Sequence, residues 1–540
     1  MVIVLMLATL ALLWGWQTFW FLCDDAYIAF RYVSNSLLGY GYTWNAPPFR
    51  PVEGYTSFLW VLLLDVVWRT FGVDPPRSAN TISLLFSFGS VGAIALLVLR
   101  TRLPKELANR RVWILALVLT GTLTNRTFLA WTSSGLETAM FTFFVLAWCA
   151  VGLTARPTSK SLIGLSTLAS LVALCRPDGL LFVCATALLC LIRVLPASSP
   201  DRRSLASLAP FAPFVVPLAH LLWRRWTYGF WLPNTWYAKA VSPWPESGVR
   251  YFASFALEYA WWWTLVIAVV AGTVFVARAV QGARPEIDLT LWMRLCVVST
   301  LATQFAYYTF RVGGDHFEYR VYNHLVPLFL LAMPWLWGHL SARVVRWAPA
   351  VLAVQLLLGL PVPWLHWSLT RNLDTREETH VMRVPVEPHM PIVLRSYGRL
   401  FDELQDWLIV HHVGMRHQEH KVFGITQQER FPSRKAGLRL DPAKLPVLIS
   451  HSVGVPGWIF ARANIIDAFG LNDAVVARTP IPESRERKMA HDREPPPGYL
   501  ECFRANVGWD RRRIWANDRE VPLTADDVRA CEGRDWHPQR

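Results

Sequence analysis

Charge is scarce in this 540-residue chain: Asp, Glu, Lys and Arg make up 17% of it, against 53% hydrophobic residues. Such a balance excludes most soluble enzymes, and with 28 tryptophans it fits a polytopic protein with aromatic residues at the water boundary. Lysine is scarcer still, at seven in all. No Gly-rich loop of the kind that cradles nucleotide phosphates is present, so a nucleotide-dependent reaction has no motif to rest on. The formal charge of +14 has no basic tail or nucleic-acid module behind it, which excludes a nucleic-acid partner and points to anionic lipid. None of the eight cysteines has zinc-site spacing. Cys149, Cys175, Cys184, Cys190 and Cys296 lie in or beside apolar spans, where cysteine packs as a small apolar residue. Cys502 and Cys531 alone lie in the polar C-terminal part, and read either as a disulfide, if that part is outside the cytoplasm, or as two unrelated thiols. Repeats of solenoid length and low-complexity tracts are lacking too.

What is present is a series of apolar runs. The first, residues 2–22, has no Lys or Arg ahead of it and no small-residue cleavage site, so a retained helix is expected rather than a cleaved signal. Bulky Trp20, Phe21 and Leu22 before Cys23 argue against lipidation. Further spans are expected at 80–99, 112–130, 138–154, 161–175, 179–195, 206–222, 257–278, 290–310, 324–341 and 347–365, eleven in all. The run at 58–68 is too short to cross comfortably and reads as a re-entrant or juxtamembrane helix. With a cytoplasmic N-terminus, the inside loops carry Arg100, Arg102, Lys105, Arg110, Arg111, Arg156, Lys160, Arg193, Arg202, Arg203, Arg278, Arg284, Arg343 and Arg346. The opposite loops carry the polar blocks DDAYIAFRY, SGLET, RPDG, LPNTWYAK and GGDHFEYR. After residue 366 the composition turns polar. YGRLFDELQDWLIV has an amphipathic helical pattern, and LPVLISH and NIIDAFG read as strands. The expectation is therefore a mainly α, polytopic helical bundle over 1–365, with a small α/β domain over 366–540 on the side of the polar blocks.

Asp24 and Asp25 stand where the chain leaves the bilayer, and two carboxylates there are costly unless used. They open an amphipathic helix in which Asp24, Ile28 and Arg31 share a face. An ordinary Asp N-cap accounts for one acid but not two. A carboxylate in that place is suited to taking a proton from an acceptor hydroxyl. The loop that follows, with Glu53 and Tyr55, is rich in the aromatics and hydroxyls that bind sugars, although an interfacial aromatic belt has the same composition. Lys239, the one lysine in the outside loops of the membrane part, suits a phosphate as a point charge, and Arg176 and Arg320 suit it as clamps. Snorkelling to the interface is the alternative for each. GGDHFEYR places Asp315, His316 and Arg320 close together. Asp24, Asp25, Asp315 and Glu318 have the chemistry for a divalent cation, but no spacing here is a metal signature, so no metal ligand is assigned.

Together these blocks, with RPVEGYTSFLW, resemble the multi-spanning GT-C glycosyltransferases related to the terminal β-(1→2)-arabinofuranosyltransferase of actinobacterial cell walls, a pattern shared with ZomB-type flagellar motor control proteins. The tail segments VGVPGWIFARANIIDAFGLND and MAHDREPPPGYL are similar as well. The resemblance implies a polyprenyl-phosphate-linked sugar donor, arabinofuranose or another pentose, and a glycan or other envelope acceptor, handled without a cofactor at the outer face of the plasma membrane. It implies catalytic roles for Asp24 and Asp25. Substrate contacts are expected from Arg31, Glu53, Tyr55, Glu137, Arg176, Asp178, Asn234, Lys239, Asp315, His316 and Arg320. The C-terminal part is shorter than in the arabinofuranosyltransferase, which leaves the acceptor open. A secondary transporter and a non-enzymatic assembly factor are the alternatives; the first predicts charges at midplane in repeated, broken helices, and the second has no need of acids and cations on one face.

Overall fold

The computed structural model describes residues 1–194, 205–239, 241–280, 288–338, 340, 344–375, 378, 387–481 and 486–536. Arg202, Arg203, Arg284 and Arg343 of the basic loops lie outside the described residues.

Five helices are long and apolar enough to cross a bilayer: Pro75–Arg100, Pro177–Val194, Trp261–Arg278, Leu289–Val312 and Val345–Thr370. Five shorter apolar helices accompany them: Val2–Thr18, Arg111–Leu123, Thr138–Thr154, Ser159–Cys175 and Leu325–Gly338. Large apolar side chains such as Leu85, Trp113, Val269 and Phe275 face outward, as lipid-facing surfaces require. The chain is a multi-pass membrane protein. Three of the eleven expected spans are broken; at 347–365 the helix Ala348–Leu358 ends at Gly359 and restarts as Pro361–Thr370. At 206–222, Pro210 and Pro213 hold Leu205–Phe214 in a 3₁₀ helix before the Val215–Tyr228 helix begins, because proline removes donors from the helical ladder. At 112–130 the helix ends at Leu123 and restarts as Arg126–Ala130, capped by the Asn125 side chain on the Phe128 N–H. The run at 58–68 forms the 14-residue helix Phe58–Phe71, ended by Gly72 in the left-handed region.

In the C-terminal part the expected amphipathic helix is Ile392–Val410, burying Phe401, Gln405 and Leu408. Strands Val447–Ser450 and Asn464–Asp467 pair in parallel, Val447 opposite Asn464, through a connection containing the helix Gly454–Ile459. Val507–Trp509 and Ile514–Ala516 form a separate antiparallel pair. Cys502 and Cys531 are disulfide-bonded.

The helix Asp24–Leu37 departs from the amphipathic expectation: every residue from Ala26 to Asn35 is buried. Its polar face is covered by the C-terminal part. Arg31, the polar residue of that face, donates to the carbonyls of Trp44 (2.7 Å), Gly457 (2.9 Å), Phe460 (3.3 Å) and Ala463 (2.7 Å) and to Asn45 Oδ1 (3.3 Å). Its donors are thereby committed to holding two parts of the chain together. A buried quartet makes a second seam. Arg416 Nη1 donates to Glu258 (2.6 Å) and Glu318 (3.1 Å), Arg126 contacts both carboxylates, and the His417 N–H donates to Glu318 (3.0 Å). Two cations against two anions leave no net charge buried there, the condition under which such a cluster is tolerated.

Candidate functional site

The acid pair is held by the SGLET block. Leu22 bridges to Ser134 in a parallel arrangement, the Ser134 N–H donates to Phe21 O (3.1 Å), and the Cys23 N–H donates to Ser134 O (3.1 Å). The two carboxylates then part company. Asp24 Oδ2 accepts from Ser452 Oγ (2.9 Å) and the Gly454 N–H (3.2 Å), and Oδ1 accepts from the Val455 N–H (2.8 Å). Asp24 thus caps a distant helix rather than its own. Burial raises its pKa to about 6, with those donors opposing. Only glycine fits at 454, since a Cβ there would lie 1.8 Å from the Asp24 carbonyl oxygen. Asp25 is half-buried, and among the described residues no hydrogen bond or ion pair engages its carboxylate.

Asp25 instead acts electrostatically on Lys239. Lys239 ends the short helix Asn234–Lys239 and remains exposed, but surrounding protein pushes its ammonium below the ordinary lysine range. Asp315 and Asp25 oppose that shift, whereas Arg320 and Arg176 add to it, so these five groups share one field. Arg320 grips Asp315 with two hydrogen bonds (2.8 and 3.2 Å) and lies over the Phe317 ring, 4.2 Å from its centroid. The turn that places them depends on Gly313 and Gly314, at φ +93° and +100°. Arg176 follows the helix Ser159–Cys175 and donates to Asp178 (3.1 Å) and to the Tyr308 hydroxyl (2.7 Å), with Glu137 at 3.7 Å. Gln304 Nε2 holds the other Asp178 oxygen at 2.7 Å. Arg176, Arg320 and Asp25, from three separate segments, therefore all act on the charge of Lys239, each arginine already oriented by a carboxylate.

Other expected site residues are not brought here. Arg31 is the strut described above. Glu53 is buried against Arg224 (2.5 and 3.1 Å), and the Tyr55 hydroxyl meets that of Tyr228 at 3.3 Å. Asn234 donates to the carbonyls of Gly470, Leu471 and Asp473, tying the LPNTWYAK block to the C-terminal part. His316 bonds through Nδ1 to His412 O (2.9 Å) and has His491 and His420 beside it. Burial, then those two imidazoles, push it well below the usual histidine range, so it stays neutral. Glu318, weighed as a cation ligand, is spent in the quartet, and among the described residues no group of three His, Cys, Asp or Glu is placed to hold an ion.

Several contributors have no local signature. Ser452, Gln304 and Tyr308 each orient a block residue, yet lie in a loop or in apolar helix ends.

No family model matches this chain, and no curated protein matches it. Solved structures similar to it include the arabinosyltransferase EmbB from Mycobacterium smegmatis (TM-score 0.35, 11% identity over 79% of this chain and 41% of EmbB). ArnT from Cupriavidus metallidurans, solved with undecaprenyl phosphate, gives a TM-score of 0.37 at 11% identity over 86% of this chain and 85% of ArnT. The oligosaccharyltransferase of Archaeoglobus fulgidus gives 0.35 at 13% identity, over 86% of this chain and 62% of that one. This chain thus spans well under half of the length of EmbB.

Proposed function

We propose that this protein is a GT-C type membrane glycosyltransferase that moves a sugar, a pentose such as arabinofuranose, from a polyprenyl-phosphate donor to a hydroxyl of a cell-envelope acceptor. The observation that carries the reading is that Lys239, Arg176 and Arg320, the two arginines each fixed by a carboxylate, come from three sequence blocks and that Lys239 shares an electrostatic field with both of them and with Asp25 of a fourth. Asp25 takes the proton of the acceptor hydroxyl as its oxygen bonds to the anomeric carbon. The bond from that carbon to the phosphate oxygen breaks, and its electron pair leaves on polyprenyl phosphate. Lys239, which among the described residues pairs with no carboxylate, is the point charge for the departing phosphate, and Arg176 and Arg320 add donors already fixed in direction. A lipid phosphate leaves readily, so this division of labour needs no nucleotide-binding domain. Residues 1–365 form the transferase part, in the plasma membrane with the N-terminus in the cytoplasm. Residues 366–540 and the site lie on the outer face.

The test is transfer by purified protein in detergent, with short-chain polyprenyl-phosphate pentoses and hexoses compared against the matching nucleotide sugars. Turnover of a lipid-linked donor alone is expected. Turnover of a nucleotide sugar alone overturns the reading, and turnover of neither returns it to the transporter or assembly-factor alternatives.

A further inference from the structure

The helix Ser159–Cys175 joins two charged regions: Arg176 follows its last residue, and its first turn lines an open groove of about 700 Å³. Its 17 residues, at about 1.5 Å each, set the two ends about 25 Å apart, most of the way across a hydrocarbon core. Cations reach the groove from three segments. Arg100 ends the helix Pro75–Arg100, Arg156 lies in the connection after the helix Thr138–Thr154, and Lys160 stands in the first turn of Ser159–Cys175. Among the described residues no carboxylate lines it. Half-buried Val151, Ala155 and Gly164 supply an apolar floor.

These charges are not spent on the protein. Nearby, Arg111 donates to the carbonyls of Val98 (3.0 Å), Leu99 and Thr101 (3.0 Å), and Arg110 donates to Arg346 O (2.8 Å). Arg111 thereby closes the end of the helix Pro75–Arg100 and leaves Arg100 no helix end to satisfy. Among the described residues no hydrogen bond or ion pair engages the side chains of Arg100, Arg156 or Lys160, and all three are exposed. The bias of basic residues toward one side of a membrane explains their presence in connections, but not their convergence on a groove. The groove also has depth. At Gly164, one turn beyond Lys160, an added Cβ would meet no atom within 4 Å.

We propose that this groove is a binding site for one anionic phospholipid. The lipid phosphate lies among Arg100, Arg156 and Lys160, and the glycerol and first acyl carbons lie on Val151, Ala155 and Gly164. Exposed cations beside a half-buried apolar floor match a phosphate ester that is also an amphiphile, whereas a free phosphate makes no use of the floor. The site rests on the membrane fold and is independent of the transferase reading.

The test is lipid retention by the full-length protein, purified in a neutral detergent and followed by native mass spectrometry during titration with phosphatidylglycerol, phosphatidylcholine or glycerol 3-phosphate. One phosphatidylglycerol is expected to be retained well ahead of phosphatidylcholine, and glycerol 3-phosphate is expected not to displace it. Arg156→Gln and Lys160→Gln should each weaken retention about fivefold, the worth of one basic residue beside anionic lipid. Gly164→Leu keeps every charge and should weaken retention too, by filling the floor. Arg102→Gln, two residues beyond Arg100 and outside the groove, should leave it unchanged. An unchanged melting temperature for Arg156→Gln separates lost binding from lost fold. The proposal is overturned if phosphatidylcholine is retained equally, if glycerol 3-phosphate displaces the lipid, if Arg102→Gln costs as much as Arg156→Gln, or if Gly164→Leu retains phosphatidylglycerol as the wild type does.

Discussion

The Val455 N–H donates a 2.8 Å hydrogen bond to Asp24 Oδ1 across 431 residues of chain. With Ser452 and Gly454 as further donors, Asp24 is a fastener between the helix that follows the first apolar run and the C-terminal part, whereas among the described residues no hydrogen bond engages the carboxylate of Asp25, one residue on. On the proposed reading the two acids divide the work by environment rather than by residue type.

The two acids are therefore expected to fail differently. Asp25→Asn should lower transfer by about 10²-fold or more with an unchanged melting temperature, because the amide keeps the shape and cannot take a proton. Asp24→Asn turns an N–H toward donors that already point at it, and should lower the melting temperature. Equal thermal loss in both variants, with equal activity, would remove the distinction.

Lys239→Ala should cost roughly hundredfold in turnover as well as donor affinity, and Lys239→Arg should recover part of it. The pH profile carries a second sign. Because the folded environment lowers the Lys239 pKa, its charge is lost as pH rises through a value below the ordinary lysine range, and donor binding should fall on that alkaline limb. In Lys239→Arg the limb should move to higher pH. An alkaline limb that stays in place in the arginine variant assigns it to another group.

Glu318→Gln leaves Arg126 and Arg416 facing each other with one anion fewer, and should destabilise the protein by about 3–5 kcal/mol. Thermal unfolding in detergent measures this. Replacing an exposed pair, Glu246→Gln against Arg250, should change it by less than about 1 kcal/mol.

If the C-terminal part lies outside, an impermeant thiol reagent should label Cys502 in intact cells after mild reduction, and only then, because Cys502 is otherwise bonded to Cys531. Labelling that requires an opened inner membrane would place that part in the cytoplasm.

Apolar run length and turn chemistry made most helices legible, as did the strand pattern of LPVLISH and NIIDAFG, since each depends on neighbours in sequence. The carboxylate partners of Arg320 and Arg176 were legible in part, because Asp315 and Asp178 sit in the same polar blocks as those arginines. What stayed hidden was the fate of particular side chains. Arg31 and Glu53 look like site residues because they are charged within site blocks, and nothing local reveals that Gly457, Ala463 and Arg224 consume them. The prolines at 210 and 213 were visible, but an apolar run with prolines reads the same in a broken helix as in a kinked one.

The burial of the helix from Ala26 to Asn35 has a consequence for biosynthesis. The wall that covers it arrives with Gly454–Ile459, more than four hundred residues later in translation. Until the ribosome delivers that segment, Arg31 has no carbonyls of 457, 460 and 463 to bind, and Asp24 has no loop to fasten. The helix from Ala26 to Asn35 is thus made long before the segment that buries it, and its polar face waits for partners that only a later stretch of chain supplies.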